Sequence, residues 1–239
     1  MSRRGRVITA FGSMLLALGG CVPAPATAEA RSIGDLYSIL LVLAAIVAGI
    51  VLSLAIVPIV IWRRRDAKSL PPQIRGNRPL ELIWTGIPIL TILGIFALTV
   101  GVLNRIGTVP TGQPTIQMQV EAFRWGWRFT YPAERIVVEG IVGSGPEMVV
   151  PVGETVEVTL TGDDVVHAFF VPQFLFKRDA IPGHRTSFQF TVDTPGTYRG
   201  QCAEFCGVGH SRMPFTVRAV SPADYQSWLA TAPRGSAAP

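Results

Sequence analysis

The sequence predicts a membrane protein built as a hairpin of two transmembrane helices followed by an all-β barrel or sandwich. Residues 36–62 and 82–103 carry no charged side chain over 27 and 22 residues. Each run is long enough to cross a hydrocarbon core of about 30 Å at about 1.5 Å per residue. From residue 115 onward, short runs rich in Val, Thr and aromatic residues alternate with polar positions and are punctuated by Gly and Pro, the pattern of many short strands. The formal charge of +5 is unevenly placed: residues 1–106 hold 11 Lys/Arg against 4 Asp/Glu, and residues 107–239 hold 10 against 12. A basic excess beside apolar spans reads as membrane topology, and no nucleic-acid partner is expected.

Taken in order, residues 1–20 read as an export signal, with Arg3, Arg4 and Arg6 ahead of an apolar stretch over 7–18. The signal ends in LGGC at 18–21, similar to the lipobox of bacterial lipoproteins, which implies a lipid-modified Cys21 as the mature N-terminus. Cleavage after the small residues ATA at 26–28 and an uncleaved basic amphipathic leader are the alternatives. The hairpin is expected over 33–106. Its linker carries Arg63, Arg64, Arg65, Lys68, Arg75 and Arg78 against Asp66 and Glu81. The positive-inside bias therefore places the linker in the cytoplasm, and residues 107–239 outside a bacterial plasma membrane crossed twice. The export signal independently gives the same topology. Glu81 falls in the first turn of the second helix, where a carboxylate stabilises the macrodipole by about 0.3–1 kcal/mol.

Strands are expected at 115–121, 124–131, 148–151, 154–161, 186–192, 196–201 and 213–219. A short helix at 222–230 is signalled by Ser221 as N-cap, Pro222 at the first helical position and Asp224 in the first turn. The extracytoplasmic domain would thus run over 107–230, with 231–239 as a flexible tail.

The chemistry concentrates in CAEFCGVGHSRM at 202–213. Two thiols, an imidazole and a thioether within twelve residues form a soft ligand set that favours copper over hard cations. His167, in VVHAFFVP at 165–172, is the candidate for a further ligand. A Cys202–Cys206 disulfide is compatible with an exported domain, but leaves His167, His210 and Met213 unused. A Cys₂His₂ zinc site satisfies tetrahedral geometry and leaves Met213 unused. A mononuclear blue-copper site takes one thiolate, two imidazoles and an axial thioether, one thiolate fewer than this chain offers. Two coppers bridged by both thiolates use every donor.

These residues closely resemble cytochrome c oxidase subunit II. The resemblance covers roughly residues 33–230 and includes the CxExCxxxHxxM pattern, ELIWTGIP at 81–88, FRWGWRF at 123–129 and KRDAIPG at 177–183. It implies a cupredoxin-like β-barrel holding the binuclear copper centre CuA. The implied ligands are His167, Cys202, the backbone carbonyl of Glu204, Cys206, His210 and Met213. The Glu204 carboxylate would serve a magnesium ion shared with subunit I. Glu81 would lie at the entrance of a proton channel, and Trp125 would admit electrons from cytochrome c, although an aromatic-rich strand equally suits a tryptophan that merely packs. Partners would be oxidase subunits I and III and a c-type cytochrome, the complex reducing O₂ to water with proton pumping. Where relatives often carry acidic residues to dock a basic cytochrome, this chain has Arg124, Arg128 and Thr130. Asp163, Asp164 and Asp179 remain as acidic contacts or solvated loop carboxylates. Two other readings stand beside this one: a quinol oxidase subunit, disfavoured because its copper ligands are lost, and a membrane-tethered copper carrier or sensor, which explains neither Glu81 nor the second span.

Overall fold

The structure, a computed structural model, describes residues 23–61, 73, 75–107 and 116–234. The export signal, Cys21 and the basic stretch at 63–68 lie outside the described residues. Two helices are long and apolar enough to cross a membrane: α1 (Ala28–Ile61) and α2 (Arg78–Gly107). Their apolar side chains are exposed in the isolated chain, as expected where lipid replaces protein as the packing partner. Pro58 and Pro88 lie inside the helices. Helix α2 opens on a reciprocal cap: Asn77 Oδ1 accepts the Leu80 amide at 3.2 Å, and Glu81 Oε1 accepts the Asn77 amide at 3.4 Å, satisfying amides that the helix itself leaves unpaired.

Among the described residues, the second unit is a β-sandwich of ten strands in two five-stranded sheets. In chain order these are β1 (Ile116–Phe123), β2 (Gly126–Tyr131), β3 (Ile136–Ile141), β4 (Glu147–Pro151), β5 (Thr155–Gly162), β6 (His167–Val171), β7 (Phe176–Ala180), β8 (Thr186–Thr191), β9 (Gly196–Cys202) and β10 (Pro214–Val220). One sheet runs β3-β2-β1-β5-β8 and the other β4-β10-β9-β6-β7, with parallel pairing at β1–β5 and β4–β10. Strand β1 alternates buried and more exposed residues, as does β5, as a sheet with one solvated face requires. Between the sheets, Trp127 and Phe129 of β2 meet Phe169 of β6 and Phe215 of β10 in edge and stacked contacts. This aromatic cluster lies directly behind the ligand loop.

Helix α3 (Pro222–Thr231) follows, its Ser221 cap accepting the Asp224 amide at 3.1 Å. Trp228 packs at a tilt against Tyr131 with ring centroids 5.1 Å apart. The expected tail begins inside this structure: Thr231 is helical and Arg234 bridges Ile136, so residues 231–234 are paired rather than loose.

Three strands go beyond the sequence-based expectation. Strands β3 and β7 are sheet edges, so one side of each lacks a partner strand, and the sequence of β7, FKRDA, is too charged to signal a strand. In β6 His167, Ala168 and Phe169 are buried in succession, which erases the alternation that marks a half-buried strand. The unit also takes in the segment ahead of α1 and the helix's first residues: Pro23–Gly34 belong with the sandwich, and the rest of α1 with the other unit.

Candidate metal centre

Two neighbouring strands deliver the first donors. His167 opens β6 and Cys202 closes β9, and the pairing places Phe169 opposite Cys202. The Ala203 amide continues the ladder onto Ala168 O at 3.1 Å. The chain then leaves the sheet, turns through Gly207 at φ +117°, makes a 3₁₀ turn at His210–Arg212 and re-enters as β10. Both ends of the loop are thus pinned by strands, and the glycine supplies a conformation that a side chain would oppose.

The donors converge. His167 Nδ1 lies 3.8 Å from Cys202 Sγ, and the two sulfurs are 3.9 Å apart. His210 Nδ1 is 3.7 Å and Met213 Sδ 4.0 Å from Cys206 Sγ. The Glu204 carbonyl oxygen sits 3.3 Å from Cys202 Sγ. Among the described residues, His167, Cys202 and Cys206 form a group whose ligand atoms all lie within 4.8 Å of one another. The thiols are free and buried, well beyond the ~2.05 Å of a disulfide. The six donors that the family resemblance implies therefore lie in one connected group, each within 4.0 Å of Cys202 Sγ or Cys206 Sγ. Such a set of two sulfurs, two imidazoles, a thioether and a carbonyl fits a soft metal better than a hard one.

The two thiols differ in proton affinity. Burial pushes the Cys202 thiol up, but hydrogen bonds from His167 and from the Glu204 backbone outweigh it and bring it down to about 6. Burial and the adjacent Cys202 charge push Cys206 up to about 12. A metal that binds both as thiolates must displace the remaining proton, so loading is linked to proton release.

Asp164 is a residue that sequence reasoning passed over as a solvated loop carboxylate. Its Oδ1 takes the His167 Nε2–H at 2.9 Å and the Val165 amide at 2.7 Å, while Oδ2 takes the Arg124 amide at 2.8 Å and side-chain Nε at 3.0 Å. Burial works against this carboxylate's charge, yet these donors, His167 first, hold it well below the usual range. With Nε2 committed as donor to Asp164, loss of the Nδ1 proton leaves a lone pair facing the thiols. The usable signal was its position three residues ahead of the histidine. Such outer partners typically set 10–100-fold in metal affinity. Asp164→Ala is therefore expected to weaken metal retention about 10–100-fold, measured by competition with a chelator; an unchanged affinity would remove this role.

Trp125 is tied to the same loop. Its Nε1–H donates to the Cys206 carbonyl at 3.1 Å. A Cβ on Gly209 would come within 2.4 Å of the indole ring, and one on Gly207 within 3.2 Å. The two glycines form the seat of the tryptophan. Gly209→Ala should displace the ring, visible as a changed tryptophan emission spectrum; an unaltered spectrum would contradict this packing.

The Glu204 carboxylate pairs with Lys177 Nζ at 2.7 Å, and the same lysine reaches Asp179 Oδ1 at 3.1 Å. Glu81 lies in the other unit, at the cap of α2. Arg124 is paired with Asp164, and Arg128 with Glu121 and Glu139, so neither arginine near Trp125 is an unopposed charge.

The fold and donor set together define a β-sandwich protein that bears two span-length apolar helices and a His/Cys/Cys cluster able to hold a metal ion. Residues 140–220 match the family model described as cytochrome c oxidase subunit II, periplasmic domain. A cytochrome c oxidase subunit 2 of Cereibacter sphaeroides is 33% identical over 231 residues, covering 83% of this chain and 75% of the relative. A probable cytochrome c oxidase subunit 2 of Streptomyces avermitilis is 32% identical over 255 residues, covering 87% and 77%. The crystal structure of the periplasmic domain of subunit II of cytochrome oxidase from Bradyrhizobium japonicum is 34% identical, with a TM-score of 0.48, covering 51% of this chain and 95% of that one. The chain belongs to the cytochrome c oxidase subunit II family.

Proposed function

We propose that the chain is the electron-transfer subunit of a haem-copper terminal oxidase. In this reading His167, Cys202, Cys206, His210, Met213 and the Glu204 carbonyl would hold two coppers, whose redox chemistry would connect a c-type cytochrome to haem in subunit I. The observation that carries it is the convergence of both thiols with two imidazoles, a thioether and a carbonyl, one thiolate more than a single blue-copper ion uses. When bound, the copper pair supplies one-electron acceptance and release, with charge spread over two metals through the thiolates. The chain supplies a cage fixed by β6, β9 and β10, which limits rearrangement as the electron comes and goes. Trp125, hydrogen-bonded to the carbonyl of a ligand residue, is placed to link the centre to an external donor.

Other residues take roles around this centre. The Glu204 carboxylate would share a magnesium ion with subunit I, with Lys177 giving up its place to the cation. Exposed Phe205 and Val208 on the ligand loop support burial of that face in a complex with subunit I, with subunit III or with the donor. The sandwich would lie outside the plasma membrane and the basic linker inside. Glu81 would receive protons at the cytoplasmic end of α2. Glu81→Gln keeps an acceptor for the Asn77 amide but carries no exchangeable acidic proton, so turnover should fall several-fold with an unchanged copper spectrum. Oxygen uptake by the assembled oxidase checks this, and wild-type turnover would leave Glu81 a helix cap.

The test of the function is rapid mixing of the assembled oxidase with a reduced c-type cytochrome. Bleaching of the copper absorption ahead of haem reduction is expected. A complex that oxidises quinol and ignores the cytochrome, or a chain that yields copper to acceptors without passing electrons, would sink the reading.

A further inference from the structure

The segment ahead of the first span is built into the sandwich. Ala26 and Thr27 are 5% and 0% exposed. The Ala26 amide donates to Gln173 O at 2.9 Å, and its carbonyl accepts the Asp193 amide at 3.1 Å. Thr27 bridges Val192 in antiparallel register, immediately beyond β8, an edge strand of its sheet. Thr27 Oγ1 also accepts the Ala30 amide at 3.0 Å, capping α1, and Arg31 pairs with Asp193. An edge strand left open is a site for unwanted pairing, and covering it is a common protection.

The sequence offers two positions for export processing, ahead of Cys21 or after Ala28. Signal cleavage acts before the chain folds, so a cut after Ala28 would not be blocked by the fold; it would remove part of it. Val192 would lose its cover, Gln173 O and the Asp193 amide their backbone partners, and α1 its cap. We propose that the mature chain retains Pro23–Ala28 as a strap closing the β8 edge of the sandwich, and that export processing lies upstream of Pro23. The inference depends neither on the metal bound nor on modification of Cys21.

The full-length subunit, purified from membranes, decides the matter through its N-terminal tryptic peptide. A peptide that ends at Arg31 and contains residues 23–28 is expected; a mature N-terminus at Glu29 overturns the proposal. Hydrogen exchange gives a second readout on the same sample. The Asp193 amide should be protected, and exchange at the rate of an open loop counts against the strap. Thr27→Lys should lower the melting temperature of the sandwich by at least about 4 °C, whereas Ala28→Lys, at an exposed position, should leave it within about 1 °C. Equal melting of the two variants contradicts the strap.

Discussion

Serine in place of Cys202 or Cys206 is expected to remove the two-copper optical and EPR signature and to lower cytochrome-driven oxygen uptake by about 100-fold or more, about 2.7 kcal/mol of barrier. The expectation follows from the position of the sulfurs. At 3.9 Å apart, with one imidazole nearest each, both can contact the same pair of metals. An alkoxide is a poor substitute, because serine does not ionise near neutral pH and its oxygen is hard where copper favours soft donors. Either substitution should leave the sandwich folded, since serine differs from cysteine by a single atom of similar size and leaves the aromatic rings between the sheets in place. Far-UV circular dichroism separates loss of metal from loss of fold. A normal copper spectrum in either variant would refute the bridging role.

Trp125→Phe is the second large effect. It should slow reduction of the copper centre by a c-type cytochrome at least about tenfold, about 1.4 kcal/mol, while leaving the copper spectrum unchanged. Phenylalanine keeps an aromatic ring over Gly207 and Gly209 but loses the N–H that reaches the Cys206 carbonyl at 3.1 Å. The contrast with Trp127 is instructive. Trp127 is fully buried and bonds the Met213 carbonyl at 3.3 Å, so its replacement would disturb both packing and a ligand residue. Trp125 lies only partly buried at the edge of the core, where an outside partner can approach. Stopped-flow reduction measures the effect, and unchanged kinetics would return Trp125 to a packing role.

The two arginines beside Trp125 also bear on how a donor docks. Arg124 is held by Asp164, and Arg128 by two glutamates. The pairing removes the strong positive field that the sequence alone suggests around this strand, because exposed charges already opposed nearby steer partners weakly.

Much of the donor set was legible in the sequence because four of its side chains lie in one loop, where spacing alone declares them. His167 was recoverable because an imidazole just ahead of an apolar run is conspicuous among three histidines. Asp164 was not, since a carboxylate in an Asp-Asp turn is ordinarily solvated and only the fold shows it bonded to His167. The two helices were plain from hydropathy. Strand β3 was hidden because only its first residue is buried, β7 by its charged sequence, and β6 by burial on both faces. The strap was hidden for a different reason: small residues near an export signal look like the end of the signal, and their burial against β8 appears only once Val192 and Gln173 are brought to them from more than 140 residues away.

The central claim is that one loop and one upstream histidine hold a pair of coppers that share an electron. Copper analysis together with EPR on the full chain purified from membranes tests it most directly. Two coppers per chain are expected, with one unpaired electron whose hyperfine pattern shows coupling to both nuclei. One copper per chain with four-line hyperfine structure, or a zinc-loaded, EPR-silent protein, would contradict it.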